Sequence, residues 1–174
     1  TNMMEGHELY CAGHMIEAAV AYAQAGGGEK LLDSAIKLAR HLYDYFMPLR
    51  QYPGHPEIEL ALIRLYEHTG GEFCLTLAQH FIDVRGSGVN LLDLERNDPR
   101  HAWIWEDMKC FDDQYFQAHK PVREQDSAEG HAVRAMYLYS AMSDAARHSG
   151  EEALCDACRA LAENVRTRRM YVTG

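Results

Sequence analysis

The stretch from Gly54 to Glu72, GHPEIELALIRLYEHTGGE, decides the fold, because it reads as one complete helix with both ends marked. Pro56 suits the first helical turn, and Gly70 with Gly71 predicts the end. The spacing i, i+3, i+4, i+7 defines one apolar face, formed by Ile58, Ala61, Leu62 and Leu65. Other apolar residues occupy the remaining sides, so we expect a helix that is buried nearly all round.

Similar two-helix units surround this stretch. We predict an all-α chain of three helical hairpins, at about 6–47, 54–85 and 126–168, with an inserted segment at about 86–125. The second helix of each hairpin starts with Gly-Glu, and Leu and Ala follow the Glu by three and six residues. Asp126 and Glu129 have the spacing of a capping box, which predicts that the third hairpin opens there. Repeated helical hairpins are typical of solenoids and toroids.

The first helix of each hairpin starts with Gly-His, which singles out His7, His55 and His131. If these three helices run parallel, the imidazoles gather on one rim of the molecule. Three histidines can hold zinc, but neutral imidazoles can also exchange hydrogen bonds with a polyhydroxylated ligand. No thiolate or carboxylate lies at tight ligand spacing from them, which favours a sugar and predicts no metal site. His14, two turns after His7, is an alternative to it at the rim.

The inserted segment is rich in aromatic and polar residues. It contains Trp103 and Trp105, and the run from Phe111 to Phe116 is both acidic and aromatic. Aromatic rings beside carboxylate, amide and imidazole groups are typical of sugar sites. A segment that only packs over the helix ends would have a similar composition, and composition leaves both interpretations open.

Charge and cysteine content exclude several classes of partner. The 174 residues carry a net charge of −9, which argues against nucleic acid and anionic membranes. No apolar run approaches the roughly 20 residues that span a bilayer, and we expect no signal peptide. Five cysteines, an odd number, indicate reduced thiols in a cytoplasmic protein, and the Cys155-x-x-Cys158 pair is expected to be structural. The terminal residues suggest a piece of a longer protein.

Four stretches, in order, resemble the motifs of glycoside hydrolase family 127, the β-L-arabinofuranosidases, formerly a domain of unknown function. They are HELYCAGH at 7–14, YPGHPEIE at 52–59, HKPVREQ at 119–125 and GHAVRA at 130–135. The segment Met170–Gly174 resembles the part that follows in that family. The resemblance implies an (α/α)6 toroid, of which this chain is a part.

The resemblance also implies a function. The family releases β-L-arabinofuranose with retention from plant-type glycans or glycopeptides, and His7, His55 and His131 match its sugar-binding histidines. Its zinc-bound cysteine nucleophile and its glutamate acid/base lie beyond the segment that resembles Met170–Gly174. We therefore expect no catalytic residue and no cofactor in this chain, and zinc in the full-length parent.

Three hairpins would leave an inner face uncovered, so self-association is expected. The alternative function is a helical-repeat interaction module without catalytic activity.

Overall fold

The computed structural model describes residues 2–88 and 90–173, which form seven α-helices. Thr1, Val89 and Gly174 lie outside the described residues. Thr1 and Gly174 are the ends of the predicted domain, Gly174 also ends the Met170–Gly174 stretch, and Val89 belongs to the inserted segment. The helices are α1 (Glu8–Gln24), α2 (Lys30–Phe46), α3 (Ile58–Thr69), α4 (Glu72–Val84), α5 (Leu91–Arg96), α6 (Ala132–Ser149) and α7 (Glu152–Asn164). None of the described helices is long and apolar enough to cross a membrane.

Helix α3 is the centre of the packing, as its sequence predicts. It contacts α1 and α6 on its sides and α4 behind it, so α1, α3 and α6 form one layer. Helices α2, α4 and α7 pack against the helices that precede them in the three hairpins. Seven of the twelve residues of α3 are buried. Small residues permit this close packing, since Ala35, Ala78 and Ala157 of the second helices are all buried.

Two predicted helix starts differ from the structure. Helix α3 begins at Ile58, two residues after Pro56. Helix α6 begins at Ala132 rather than near Asp126, so the predicted capping box is wrong. The Asp126 carboxylate accepts a hydrogen bond from Lys120 at 2.8 Å, and Glu129 pairs with Arg169 at 2.9 Å. Because both acidic groups have partners outside the helix, neither caps it.

The actual cap of α6 is a histidine. Gly130 adopts a left-handed conformation with φ of +76°, and the His131 ring nitrogen Nδ1 then accepts a hydrogen bond from the Arg134 N–H at 3.3 Å.

At the other end of this hairpin, α7 is followed by one π turn at Val165–Arg169.

The described part of the inserted segment is anchored to the helices. It contains α5 and the 3-10 turns Glu106–Cys110 and Val122–Glu124, and it buries the Phe116 ring completely. Arg85, also fully buried, donates hydrogen bonds to the carbonyls of Phe116 at 2.8 Å and Pro53 at 2.7 Å. The same guanidinium lies 3.3 Å from the Glu59 carboxylate. Arg85 therefore joins the insertion to the segment that leads into α3.

Candidate functional site

The three histidines of the Gly-His pairs lie together at one end of the helical layer. The ring centroids of His7 and His55 are 5.5 Å apart, and those of His55 and His131 are 6.2 Å apart. Each histidine directly precedes or closely approaches the start of α1, α3 or α6. The prediction that these three histidines share one rim of the molecule is confirmed.

A close approach of two backbones explains the glycine before each histidine. A Cβ atom on Gly6 would lie 2.3 Å from the Asn2 carbonyl oxygen, and one on Gly54 would lie 2.4 Å from that of Met3. At Gly130 the corresponding distance, to the Gln114 carbonyl oxygen, is 2.0 Å. Real side chains cannot occupy such positions, so glycine is required at all three junctions. The repeated Gly-His pair thus marks three points where another part of the backbone passes too close for a side chain.

The hydrogen-bond partner of Nδ1 selects the neutral tautomer that is available to each of these histidines. Nδ1 of His7 is 2.7 Å from the Glu5 carbonyl oxygen, and Nδ1 of His55 is 2.8 Å from that of Pro56. Since a carbonyl oxygen only accepts, both Nδ1 atoms carry a hydrogen, which leaves Nε2 as the acceptor of each ring in its neutral form. Nδ1 of His131 instead accepts from a backbone N–H, so its Nε2 carries the hydrogen. The rim offers two acceptors and one donor.

Burial keeps two of these imidazoles neutral at pH 7. It lowers the pKa of His55 to about 4, and the nearby Arg134 adds to this effect. Burial followed by Arg134 also lowers the pKa of His131. The Arg134 guanidinium is itself buried and donates to the Gly54 carbonyl at 2.7 Å, so it holds the segment next to His55 in place. Neutral imidazoles suit hydrogen bonds to hydroxyl groups.

Two tyrosines that the sequence analysis did not single out complete the rim. The Tyr10 ring lies 4.5 Å from the rings of both His14 and His55, and the Tyr137 ring lies 5.9 Å from that of His55. A hydrogen bond with Tyr10, followed by burial, raises the pKa of Tyr137 to about 12, so its hydroxyl keeps its proton. Tyr10 follows His7 by three residues, a helical spacing that marks it as a neighbour.

His14 lies beside the rim and faces a different group. Its Nδ1 is 3.5 Å from a carboxylate oxygen of Glu57, whereas His7 contacts His55 and Trp105. The structure therefore places both histidines next to Tyr10, and of the two it is His7 that contacts His55. This arrangement favours His7 as the rim histidine.

Glu57 is a buried acid that the sequence analysis also missed. Its side chain is 0% exposed, and neither carboxylate oxygen has a hydrogen-bond partner among the described residues. Burial, followed by the charges of Glu17 and Glu59, raises its pKa to about 8. His14, Glu17 and Glu57 offer ligand atoms within 4.8 Å of one another, a spacing that a metal ion could use. Glu17 is already paired with Arg64 at 2.8 Å, however, and a protonated Glu57 needs no cation.

The cysteines do not assemble a zinc site of the kind that the family resemblance implies. Cys11 and Cys110 are exposed and Cys74 is buried, and its burial raises the thiol pKa to about 12. In the part of the chain that the structure describes, the one group of three possible metal ligands contains no cysteine. These residues do not fit a zinc-bound thiolate.

The inserted segment contributes one of its two tryptophans to the site. The Trp105 ring meets the His7 ring edge to face at 5.7 Å, and its side chain is 50% exposed. Trp103 instead packs against His101 at 4.6 Å, within the segment itself. Trp103 therefore has a packing role, and Trp105 lies beside the histidine rim.

Comparisons with known proteins find similarity along the whole chain. Residues 1–174 match the family described as "Beta-L-arabinofuranosidase, GH127 catalytic domain". A non-reducing end β-L-arabinofuranosidase of Bifidobacterium longum subsp. longum is 43% identical over 176 aligned residues, which cover 99% of this chain and 27% of that protein.

Solved structures give the same result. The GH127 β-L-arabinofuranosidase of Geobacillus stearothermophilus T6 superposes with a TM-score of 0.91 at 48% identity, over 99% of this chain and 28% of that one. A GH127 β-arabinofuranosidase superposes with a TM-score of 0.78 at 38% identity, over 96% and 24% of the two chains. The chain therefore spans about a quarter of the length of these relatives.

Proposed function

The chain belongs to the GH127 β-L-arabinofuranosidase family, and from this premise we propose that it forms one wall of a sugar pocket. Its fold is part of an (α/α)6 toroid. The parent protein would be a retaining glycoside hydrolase that releases β-L-arabinofuranose from plant-type glycans or glycopeptides. Since the chain spans about a quarter of the length of its relatives, this segment would supply part of the sugar-binding site and the rest of the protein would supply the reacting groups.

The convergence of His7, His55 and His131 carries this proposal. A furanose presents several hydroxyl groups over a few ångströms, and each hydroxyl both donates and accepts a hydrogen bond. Two Nε2 acceptors and one Nε2–H donor, fixed on rigid helix starts, match such a ligand without rearrangement. Tyr10 and Tyr137 add hydroxyls and ring faces at the same place.

The contribution of these residues to the reaction is binding and orientation. We propose that the nucleophile, the acid/base and a zinc ion belong to parts of the parent outside this chain, because the cysteines here do not converge with other ligands. His7, His55 and His131 hold the ring so that its anomeric carbon is presented to those groups. Such positioning is effective only when the reacting groups are present as well.

Titration of the chain with methyl β-L-arabinofuranoside tests the proposal. In a chain with 15N-labelled histidine, we expect the ring signals of His7, His55 and His131 to shift together and those of the exposed His68 to stay constant. The substitution His55→Gln should weaken binding, and the matched substitution His68→Gln should not. Shifts restricted to surface histidines would exclude the rim as the sugar site.

We also propose a cytoplasmic location, supported by the odd number of cysteines. The compact cluster of histidines and tyrosines at the rim supports the sugar-binding proposal over the interaction-module alternative.

A further inference from the structure

We propose that Trp105 is a stacking surface for the furanoside bound at the histidine rim, and that Glu5 is the residue that positions it. The inference rests on the proposed function and extends it to the inserted segment. In this arrangement the C–H face of the furanoside stacks on the indole ring, and the hydroxyl groups of the furanoside form hydrogen bonds with the histidines.

Glu5 holds the backbone that carries Trp105. Its carboxylate is 0% exposed and accepts hydrogen bonds from the N–H of Ile104 at 3.0 Å and the N–H of Trp105 at 2.8 Å. The Asn2 side-chain amide donates to the same carboxylate at 3.0 Å, and His101 Nε2 lies 3.2 Å away. A buried carboxylate with this many polar neighbours is well satisfied, and it acts as the fixed centre of a small network.

The electrostatics agree with an ionised Glu5. Burial alone would raise the pKa of Glu5, but the hydrogen bonds from Ile104 and Trp105, helped by Asn2 and His101, lower it instead. The charge therefore persists at neutral pH, and the bonds to the two backbone N–H groups are charge-assisted.

The same residue also orients His7. The Glu5 carbonyl oxygen accepts the hydrogen bond from His7 Nδ1 at 2.7 Å, while the Glu5 carboxylate holds Trp105. One residue thus sets the relative position of an imidazole and an indole that are 5.7 Å apart. Glu5 does not itself reach the rim, so its role is to position the two groups that do.

Trp105 has the placement that a stacking residue requires. Its ring makes an edge contact with the His7 ring, and half of the side chain is exposed. Its neighbour Trp103 shows the contrast, because it packs against the core and against His101. A half-exposed indole beside hydrogen-bonding groups presents an apolar surface next to polar ones, as sugar recognition needs.

Backbone amide exchange tests the positioning role. In Glu5→Gln, one acceptor oxygen becomes a donor amide, and in Glu5→Leu both acceptors are lost. We expect hydrogen exchange at the amides of Ile104 and Trp105 to accelerate at least about tenfold in these variants. The exposed neighbour Glu8 supplies the control, since Glu8→Gln should leave both amides protected. Unchanged protection in folded Glu5→Gln would overturn the role of Glu5.

Sugar affinity tests the stacking role. We expect Trp105→Ala, which leaves Glu5 intact, to weaken binding of methyl β-L-arabinofuranoside about 3- to 10-fold, and Trp103→Phe to leave it unchanged. Weaker binding in His55→Gln together with unchanged binding in Trp105→Ala would overturn this inference and leave the proposed function standing. No binding of the glycoside to the unmodified chain would overturn both.

Discussion

At the scale of single residues, His55 and Glu57 are two ionisable groups that burial keeps neutral in opposite ways. The pKa of the His55 imidazole is lowered to about 4, so the ring is neutral at pH 7. The pKa of the Glu57 carboxyl is raised to about 8, so this group keeps its proton at pH 7. They therefore give the stability of the chain two pH dependences of opposite sign.

For Glu57, we expect stability to fall as pH rises from about 4.5 to about 8. Over this window the carboxyl ionises in the unfolded chain, while the folded chain keeps it protonated, so unfolding becomes more favourable. Glu57→Gln should flatten this slope in urea unfolding curves recorded across the window. The exposed Glu72→Gln serves as the control, and an unchanged slope in Glu57→Gln would contradict the prediction.

For His55, the expected dependence has the other sign. Its pKa is lower in the folded chain than the ordinary 6.5, so the unfolded chain binds the proton first and stability falls as pH drops from about 6.5 to about 4. Thermal unfolding of His55→Gln should show a weaker loss at acid pH than the unmodified chain. His68→Gln, an exposed site, should keep the full loss, and equal losses in both variants would count against the assignment.

The sequence predicts histidines at this scale better than acids. His7, His55 and His131 stand out because each follows a glycine at a helix start. Glu5 and Glu57 have no comparable mark among 26 acidic residues, since their burial depends on segments distant in the chain. Only the packed structure shows that their carboxylates are removed from water.

At the scale of elements, the junctions before α1, α3 and α6 are the most constrained parts of the backbone. Each brings a glycine against a backbone carbonyl, which belongs to a distant segment at Gly54 and Gly130 and to the preceding turn at Gly6, and Gly130 also has a left-handed φ. The helices of the three hairpins follow from apolar periodicity, and their predicted ends lie within a few residues of the observed ones, apart from the start of α6, whereas α5 in the inserted segment was not predicted. That start was misplaced because a local capping pattern competed with tertiary partners for the same carboxylates.

We expect Gly130→Ala to destabilise the chain by about 2 kcal/mol, because the added Cβ would meet the Gln114 backbone and the residue has positive φ. Gly28→Ala, where the added atom meets nothing within 4 Å, should change stability by less than about 0.5 kcal/mol. Chemical denaturation measures both values. Equal effects at the two glycines would show that the close approach at Gly130 is not limiting.

At the scale of the whole molecule, the chain spans about a quarter of the length of its relatives, so its helical layer is only part of their fold. The groove between α3 and α6 shows this, because it is lined by Leu60, Val133, Met136 and Tyr137. Val133 and Met136 are 50% and 43% exposed. Apolar side chains grouped in this way are typical of a surface that another part of the protein covers.

The isolated chain is expected to associate with itself through this groove. Met136→Glu should shift its sedimentation profile toward monomer, because a charge would then have to be buried at the contact. Leu94→Glu, at an exposed leucine on α5, is the control and should leave the profile unchanged. A profile that responds to neither substitution would place the contact elsewhere.

The isolated chain is also expected to lack hydrolytic activity on an aryl β-L-arabinofuranoside, while the intact parent has it. Binding groups alone lower the energy of substrate and transition state about equally and provide no nucleophile. Release of the aryl group, measured at neutral pH with zinc and reductant, should match a heat-denatured control. Clear turnover above that control would mean that the reacting groups lie within these residues.

The hydrogen bond between Glu5 and Trp105 joins residues 100 positions apart, and from this separation we expect it to form late in folding. The hairpins form from neighbouring segments, whereas this contact requires the closure of a loop that contains two of the hairpins. During synthesis, Glu5 emerges long before its partner exists. We therefore expect the Trp105 indole to reach its position beside His7 only after the first two hairpins have folded.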